Sequence, residues 1–164
     1  MATTCQTRFD DLAAALGYSF EGEIKIGGNY VSTVQSANEI YVSGQIPRVG
    51  DTVVVTGRVG ADVALAEAQK AAKICAMRAL ALLRQALGSL DHVHRILRIT
   101  VYVQSADDFT QQSEVADGAS EVLHTVLGPA GVHTRTSVGV YQLPKNAAVE
   151  VDLIASVSGA LPAA

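Results

Sequence analysis

Apolar positions along the chain fall into a few clear patterns. Phe9, Leu12, Ala13 and Leu16 recur at helical spacing and Gly17 follows them, which predicts a short helix over 6–16. Residues 18–29 contain Gly22, Gly27 and Gly28 and read as a loop with one short strand. The β-rich segments 30–35 (YVSTVQ) and 39–43 (EIYVS) flank SAN and predict a hairpin, and 52–56 (TVVVT) predicts a further short strand. The longest element runs from Asp62, a candidate N-cap, to Leu87 before Gly88. Its apolar stripe is Leu65, Ala68, Ala72, Cys75, Ala79 and Leu82, with Glu67, Lys70, Lys73, Arg78 and Arg84 placed elsewhere on the wheel. A stripe this rich in alanine lets a helix lie close against a sheet.

Period-two alternation dominates 95–103 (RILRITVYV), where Leu97, Ile99, Val101 and Val103 are expected on one side and Arg98, Thr100 and Tyr102 on the other. A second helix is predicted over 107–127, with Ala116, Ala119, Leu123 and Val126 inward and Gly128-Pro129 as its stop. Gly118 weakens it by about 1 kcal/mol relative to alanine. Strands 135–142 and 149–157, joined by a turn at LPKNAA, are read as a final hairpin. The predicted fold is α+β: one mixed sheet with two long helices on one face. On 135–142 the helices are expected to cover Val138 and Val140, with Arg135, Ser137, Gly139 and Tyr141 opposite. The second sheet face mixes small, apolar and a few charged residues, so it is expected to pack against other subunits around a cleft.

Composition narrows the function classes. The 164 residues suit a single domain, and 49% hydrophobic against 17% charged residues is too apolar for disorder. A net charge of −4, Tyr 5, Phe 3 and Trp 0 argue against a non-specific nucleic-acid binder, which needs a basic footprint and stacking platforms. No apolar run approaches the roughly 18 residues of a membrane span, and the start MATTCQTRFDD lacks the pattern of a secretory signal. Cys5 and Cys75 make no disulfide framework, with Cys75 read as a core thiol, and a reducing, cytoplasmic setting is expected. His92 and His94 lack a third ligand nearby, so no metal is expected, and no cofactor fingerprint is present.

Three segments carry a resemblance to a known family. They are Gly28-Asn29-Tyr30-Val31; Tyr41-Val42-Ser43-Gly44-Gln45-Ile46-Pro47; and Arg135-Thr136-Ser137-Val138 followed by Leu143-Pro144-Lys145 and Val149-Glu150-Val151. The chain resembles the RidA/YjgF group, also called the Rid or endoribonuclease L-PSP family. The resemblance divides it into an N-terminal helical extension (1–24), a RidA-like domain (25–157) and a tail (158–164). It implies a chorismate-mutase-like fold and a homotrimer with clefts between subunits. It also implies hydrolysis of enamines and imines of 2-amino acids to 2-keto acids and ammonia. Two alternatives go with it, a non-catalytic metabolite-binding trimer and a translation-inhibiting endoribonuclease. The chain departs from the family at Asn29, Ser113, Ala116, Ser137 and Gly139, and the Gly131-Val132-His133-Thr134-Arg135 segment marks a divergent subgroup.

Site candidates follow from side-chain chemistry and from that resemblance. Arg135 matches the family arginine that binds the substrate carboxylate, and its planar fork suits that task; the competing reading is an ion pair with Glu150 or Asp152 across the hairpin. Glu150, expected on the same face in the neighbouring strand, would orient water or shuttle a proton. Tyr30 would bond the carboxylate or the imine nitrogen, and Arg135, Glu150 and Tyr30 form the catalytic set. Gly44 and Gln45 would present backbone N–H groups to the ligand, and Ser137 stands where the family carries cysteine. His133, two residues before Arg135, would serve as acid, base or donor in the cleft. The expected ligand is a small carboxylate.

Overall fold

The computed structural model describes residues 3–158. Helix α1 (Cys5–Leu16) is followed by β1 (Thr33–Ser36), β2 (Glu39–Gln45), β3 (Arg48–Val49), β4 (Thr52–Val53), α2 (Leu65–Leu87) and β5 (Val93–Gln104). Helix α3 (Gln112–Leu127), β6 (Thr134–Val140) and β7 (Val149–Val157) complete the chain. Five strands form one sheet in the order β1-β2-β7-β5-β6, while β3 and β4 make a separate two-stranded ribbon. β5 and β6 run parallel and the other neighbours antiparallel. The α+β architecture with α2 and α3 on one sheet face is as expected: α2 packs on β2 and β7, α3 on β5 and β6, and α1 rides on α3. Of the tail expected over 158–164, Ser158 alone is among the described residues.

The core lies between that sheet face and the helices. Ile99, Val101 and Val103 of β5 meet Val151 and Leu153 of β7 beneath Ile74, Leu80, Leu83 and Leu123, all essentially sealed from solvent. Helix α2 is buried almost all round, because the sheet, α3 and the N-terminal segment each cover one side. Phe9 of α1 and Phe20 of the following loop meet edge to face within this core. Thr4 caps α1 by accepting the Thr7 N–H, and Gly17 closes it in the left-handed conformation.

Several expectations need correction. Asp62 does not cap α2, which starts at Leu65 behind Ala64 with no side-chain cap. Its carboxylate instead accepts the Arg58 N–H at 2.9 Å and closes the turn before the helix. Helix α3 begins at Gln112 rather than 107, because residues 107–111 form a turn in which Phe109 packs on Gly60. In β5 the buried residue is Ile96 rather than Leu97: a bulge between Ile96 and Arg98 shifts the alternation by one. Gly118 is a point of contact: a Cβ there would lie 2.3 Å from the Gln69 carbonyl oxygen of α2, so it lets the two helices touch.

The final hairpin does not form. β7 inserts between β2 and β5, and β6 lies at the sheet edge as the parallel partner of β5, reached through the α3 crossover. The face assignment of β6 is reversed as well. Arg135, Ser137 and Gly139 stand beside Ile99, Val101 and Val103 on the helix side, and Thr136 and Val138 stand beside Thr100 and Tyr102 on the open side. In the single chain that open face exposes Val34, Tyr41 and Val138. It is laced by Arg98 donating to Thr136 at 2.6 Å and Tyr102 donating to Asp152 at 3.2 Å.

Candidate functional site

The expected site residues fall into two groups. The first lines a cavity of about 210 Å³ and comprises Tyr30, Gly44, Gln45 and Glu150, joined by Lys25, Arg48, Arg78 and Lys145. β2 breaks register with β7 between Val42 and Gln45, which frees Ser43 and Gly44 from regular pairing. A Cβ on Gly44 would fall 1.9 Å from Glu150 Oε1, so glycine is what lets the Glu150 side chain cross β2. Pro144 and Lys145 close another side, on a turn held by the sealed amide of Gln104. It donates to Asn146 Oδ1 at 2.7 Å and accepts the Leu143 N–H at 2.8 Å, holding the Pro144–Asn146 turn over the cavity. A second cavity, of about 240 Å³, lies among the three helices and contains none of the expected site residues; with the Lys73–Glu121 ion pair at its wall it reads as a packing gap.

Glu150 is half-buried, and among the described residues its carboxyl has no hydrogen-bond or ion-pair partner. Burial pushes its pKa above the ordinary carboxylate value, and the charge of Asp152 adds to the effect. Tyr30 is half-exposed at the cavity rim. The side chain of Gln45 has a part of its own. It is 4% exposed, and its side chain accepts from Arg78 Nε at 3.2 Å and donates to the Ser43 carbonyl at 3.0 Å. Gln45 therefore positions Arg78.

The second group gathers where β6 meets α3. Arg135 Nη1 donates to Asp117 Oδ1 at 2.8 Å and Ser120 Oγ at 3.0 Å, and Nη2 donates to Ser113 Oγ at 2.8 Å. Its ion-pair partner is Asp117, not Glu150 or Asp152. His133 Nδ1 lies 2.6 Å from the Gly131 carbonyl, which fixes the proton on that nitrogen. Nε2, 2.9 Å from Ser120 Oγ, is then left to accept the hydroxyl proton. Burial lowers the His133 pKa, the nearby His124 and Arg135 charges lower it further, and the Gly131 bond opposes them. Ser137, half-buried, follows Arg135 on the same face of β6.

The expectation that Arg135 and Glu150 share a face on neighbouring strands is overturned. β5 separates their strands, Arg135 faces the helices, and Glu150 sits opposite Tyr102 on the other face. Within one chain, Arg135, Ser137 and His133 form one cluster and Tyr30, Gly44 and Glu150 another. Sequence reasoning missed Asp117 and Ser120 as partners of Arg135, and Arg78 in the cavity. Arg78 had a signal: it stands three residues after Cys75 and four before Leu82, both on the buried stripe.

Residues 10–157 match the model of the family described as "YjgF/chorismate_mutase-like, putative endoribonuclease". Protein TCP17 of Trypanosoma cruzi is 45% identical over 127 residues, which cover 77% of this chain and 79% of the relative. The structure of Atu1372 from Agrobacterium tumefaciens, a protein of unknown function, is 38% identical with a TM-score of 0.83 over 94% of each chain. A structure from Shewanella oneidensis, described as a putative endoribonuclease, is 27% identical with a TM-score of 0.86 and covers 94% of this chain and 99% of its own.

Proposed function

Because the chain belongs to the YjgF/chorismate-mutase-like family, we propose that it is a hydrolytic deaminase of small 2-imino acids, acting in clefts between the subunits of a homotrimer. The observation that carries this reading is the half-buried Glu150 carboxyl, without a partner among the described residues, on the wall of a metabolite-sized cavity. Arg135 of a neighbouring subunit supplies the anchor for the C1 carboxylate. Its guanidinium fork, which without ligand bonds Asp117, Ser120 and Ser113, exchanges those partners for paired charge-assisted bonds to the carboxylate.

Tyr30 and Glu150 then face C2 and its nitrogen. Glu150 accepts a proton from water as the water oxygen bonds to C2 of the iminium, giving a carbinolamine. Glu150 passes that proton to nitrogen, then takes the hydroxyl proton as the C–N bond breaks, so that ammonia leaves and the carbonyl forms. A carboxyl whose pKa is raised by burial suits both halves of that shuttle, since it holds the proton more tightly than an ordinary carboxylate and can still return it.

The test generates 2-aminoacrylate in place with a dehydratase and follows pyruvate. The protein is expected to accelerate pyruvate release well beyond the spontaneous rate, and Glu150→Gln to cost about 100-fold or more of that acceleration. A wild-type rate equal to the spontaneous one, with pyruvate still bound, would assign the clefts to binding without catalysis.

A further inference from the structure

Arg78 is a buried cation without a counter-ion. It is 4% exposed, and among the described residues no carboxylate lies within ion-pair distance. Its hydrogen bonds go to neutral acceptors: Nε to Gln45 Oε1, Nη1 to the Arg48 carbonyl at 2.5 Å and Nη2 to the Lys25 carbonyl at 3.2 Å. A guanidinium carries five N–H groups, so two remain. A buried charge left uncompensated is costly, and burial pulls the Arg78 pKa below its ordinary value.

The surroundings deepen the imbalance. Lys25 and Arg48 share one partner, the exposed Asp51, and Lys145 at the mouth has no ion-pair partner among the described residues. Against these four cations the cavity lining offers one acidic group, Glu150, whose pKa is raised rather than lowered. The lining is thus short of negative charge at the end where Arg78 lies.

We infer that this cavity takes a second anionic group, so that the substrate is a 2-imino acid whose side chain ends in a carboxylate. The inference rests on the deaminase reading above and names the substrate class for the same site. The C1 carboxylate goes to Arg135 of the neighbouring subunit, and the distal carboxylate goes to the two free N–H groups of Arg78, with Lys145 closing over it. Gln45 is a positioning residue here, since it holds the guanidinium plane through Nε.

The product analogues 2-oxoglutarate and 2-oxovalerate have chains of equal length and differ in ending in a carboxylate or a methyl group. Calorimetric titration of the wild-type protein is expected to show 2-oxoglutarate binding about 10- to 100-fold more tightly, the scale of a charge-assisted pair. In Arg78→Gln the ratio of the two affinities is expected to fall towards one. Should that variant fail to fold, Lys145→Gln, on the exposed turn, is expected to reduce the ratio several-fold. Equal wild-type affinities would overturn the inference and leave the deaminase reading standing. No binding of either acid would remove both. A ratio that persists in folded Arg78→Gln, or in Lys145→Gln where that variant has to stand in, would take the distal carboxylate away from this cation cluster.

Discussion

At the scale of single residues, Glu150 is held in its half-buried place at a cost in stability. Its folded-state pKa lies above the ordinary value of 4.5, chiefly through burial. The sign follows from linkage: the unfolded carboxyl ionises more readily than the folded one. Its contribution to stability is therefore complete below about pH 4.5 and is lost as pH rises through the higher folded value. Glu150→Gln removes that loss. The variant is expected to melt above wild type at pH 7, with the difference vanishing near pH 4, as followed by thermal unfolding across that range. A variant that melts lower at pH 7 would mean that the carboxylate has a stabilising partner. Little of this was legible in the sequence. The identity of Glu150 as a site residue came from its motif. Its isolation depends on the β2 register break and on Gly44, neither of which has a local signature. The partners of Arg135 were hidden for a related reason: a one-residue choice of strand face decides whether it meets α3 or open solvent.

At the scale of elements, the contact between α2 and α3 fixes where the Arg135 cluster sits. Asp117 and Ser120 flank Gly118 and Ala119 on α3, so the face that touches Gln69 of α2 also sets the partners of Arg135. Gly118→Ala places a methyl group against backbone rather than a movable side chain. It is expected to cost about 1–3 kcal/mol in urea unfolding, despite alanine's better helix propensity. A neutral or stabilised variant would show that the helices can separate freely. Helix periodicity and strand alternation made α1, α2, β2 and most of β5 readable, because each buries one face with regular spacing. The β6–β7 connection was misread because Pro144 and Asn146 look like a tight turn. The eight residues from Tyr141 to Ala148 are in fact long for a hairpin, and they carry the chain across β5. Pairing partners are a long-range choice that local turn chemistry does not decide.

At the scale of the whole molecule, the Arg135 and Glu150 clusters belong to opposite faces of one sheet, so a small ligand would reach both only if a second chain brought its β6 edge to the cavity. The exposed Val34, Tyr41 and Val138 of the open face are the apolar surface such an assembly would cover. The arrangement makes a quantitative prediction. Take Arg135→Lys, which keeps charge but loses the fork, and Glu150→Gln, each unable to form a working cleft alone. In a ring of three subunits, each cleft joins Arg135 of one chain to Glu150 of the next. Any mixed trimer then contains one cleft in which the Glu150 variant supplies an intact Arg135 and the Arg135 variant supplies an intact Glu150. Unfolding and refolding the two variants together in equal amounts is expected to restore about a quarter of wild-type activity, since about three-quarters of the trimers are mixed and about one cleft in three works in each. The variants refolded separately and then mixed are the control. No recovery in the mixed sample, with trimers confirmed by sedimentation, would place Arg135 and Glu150 in the same cleft from the same chain or in no common cleft. Recovery near a quarter would show that Arg135 and Glu150 meet in one cleft from two different chains, with the number of subunits read from sedimentation.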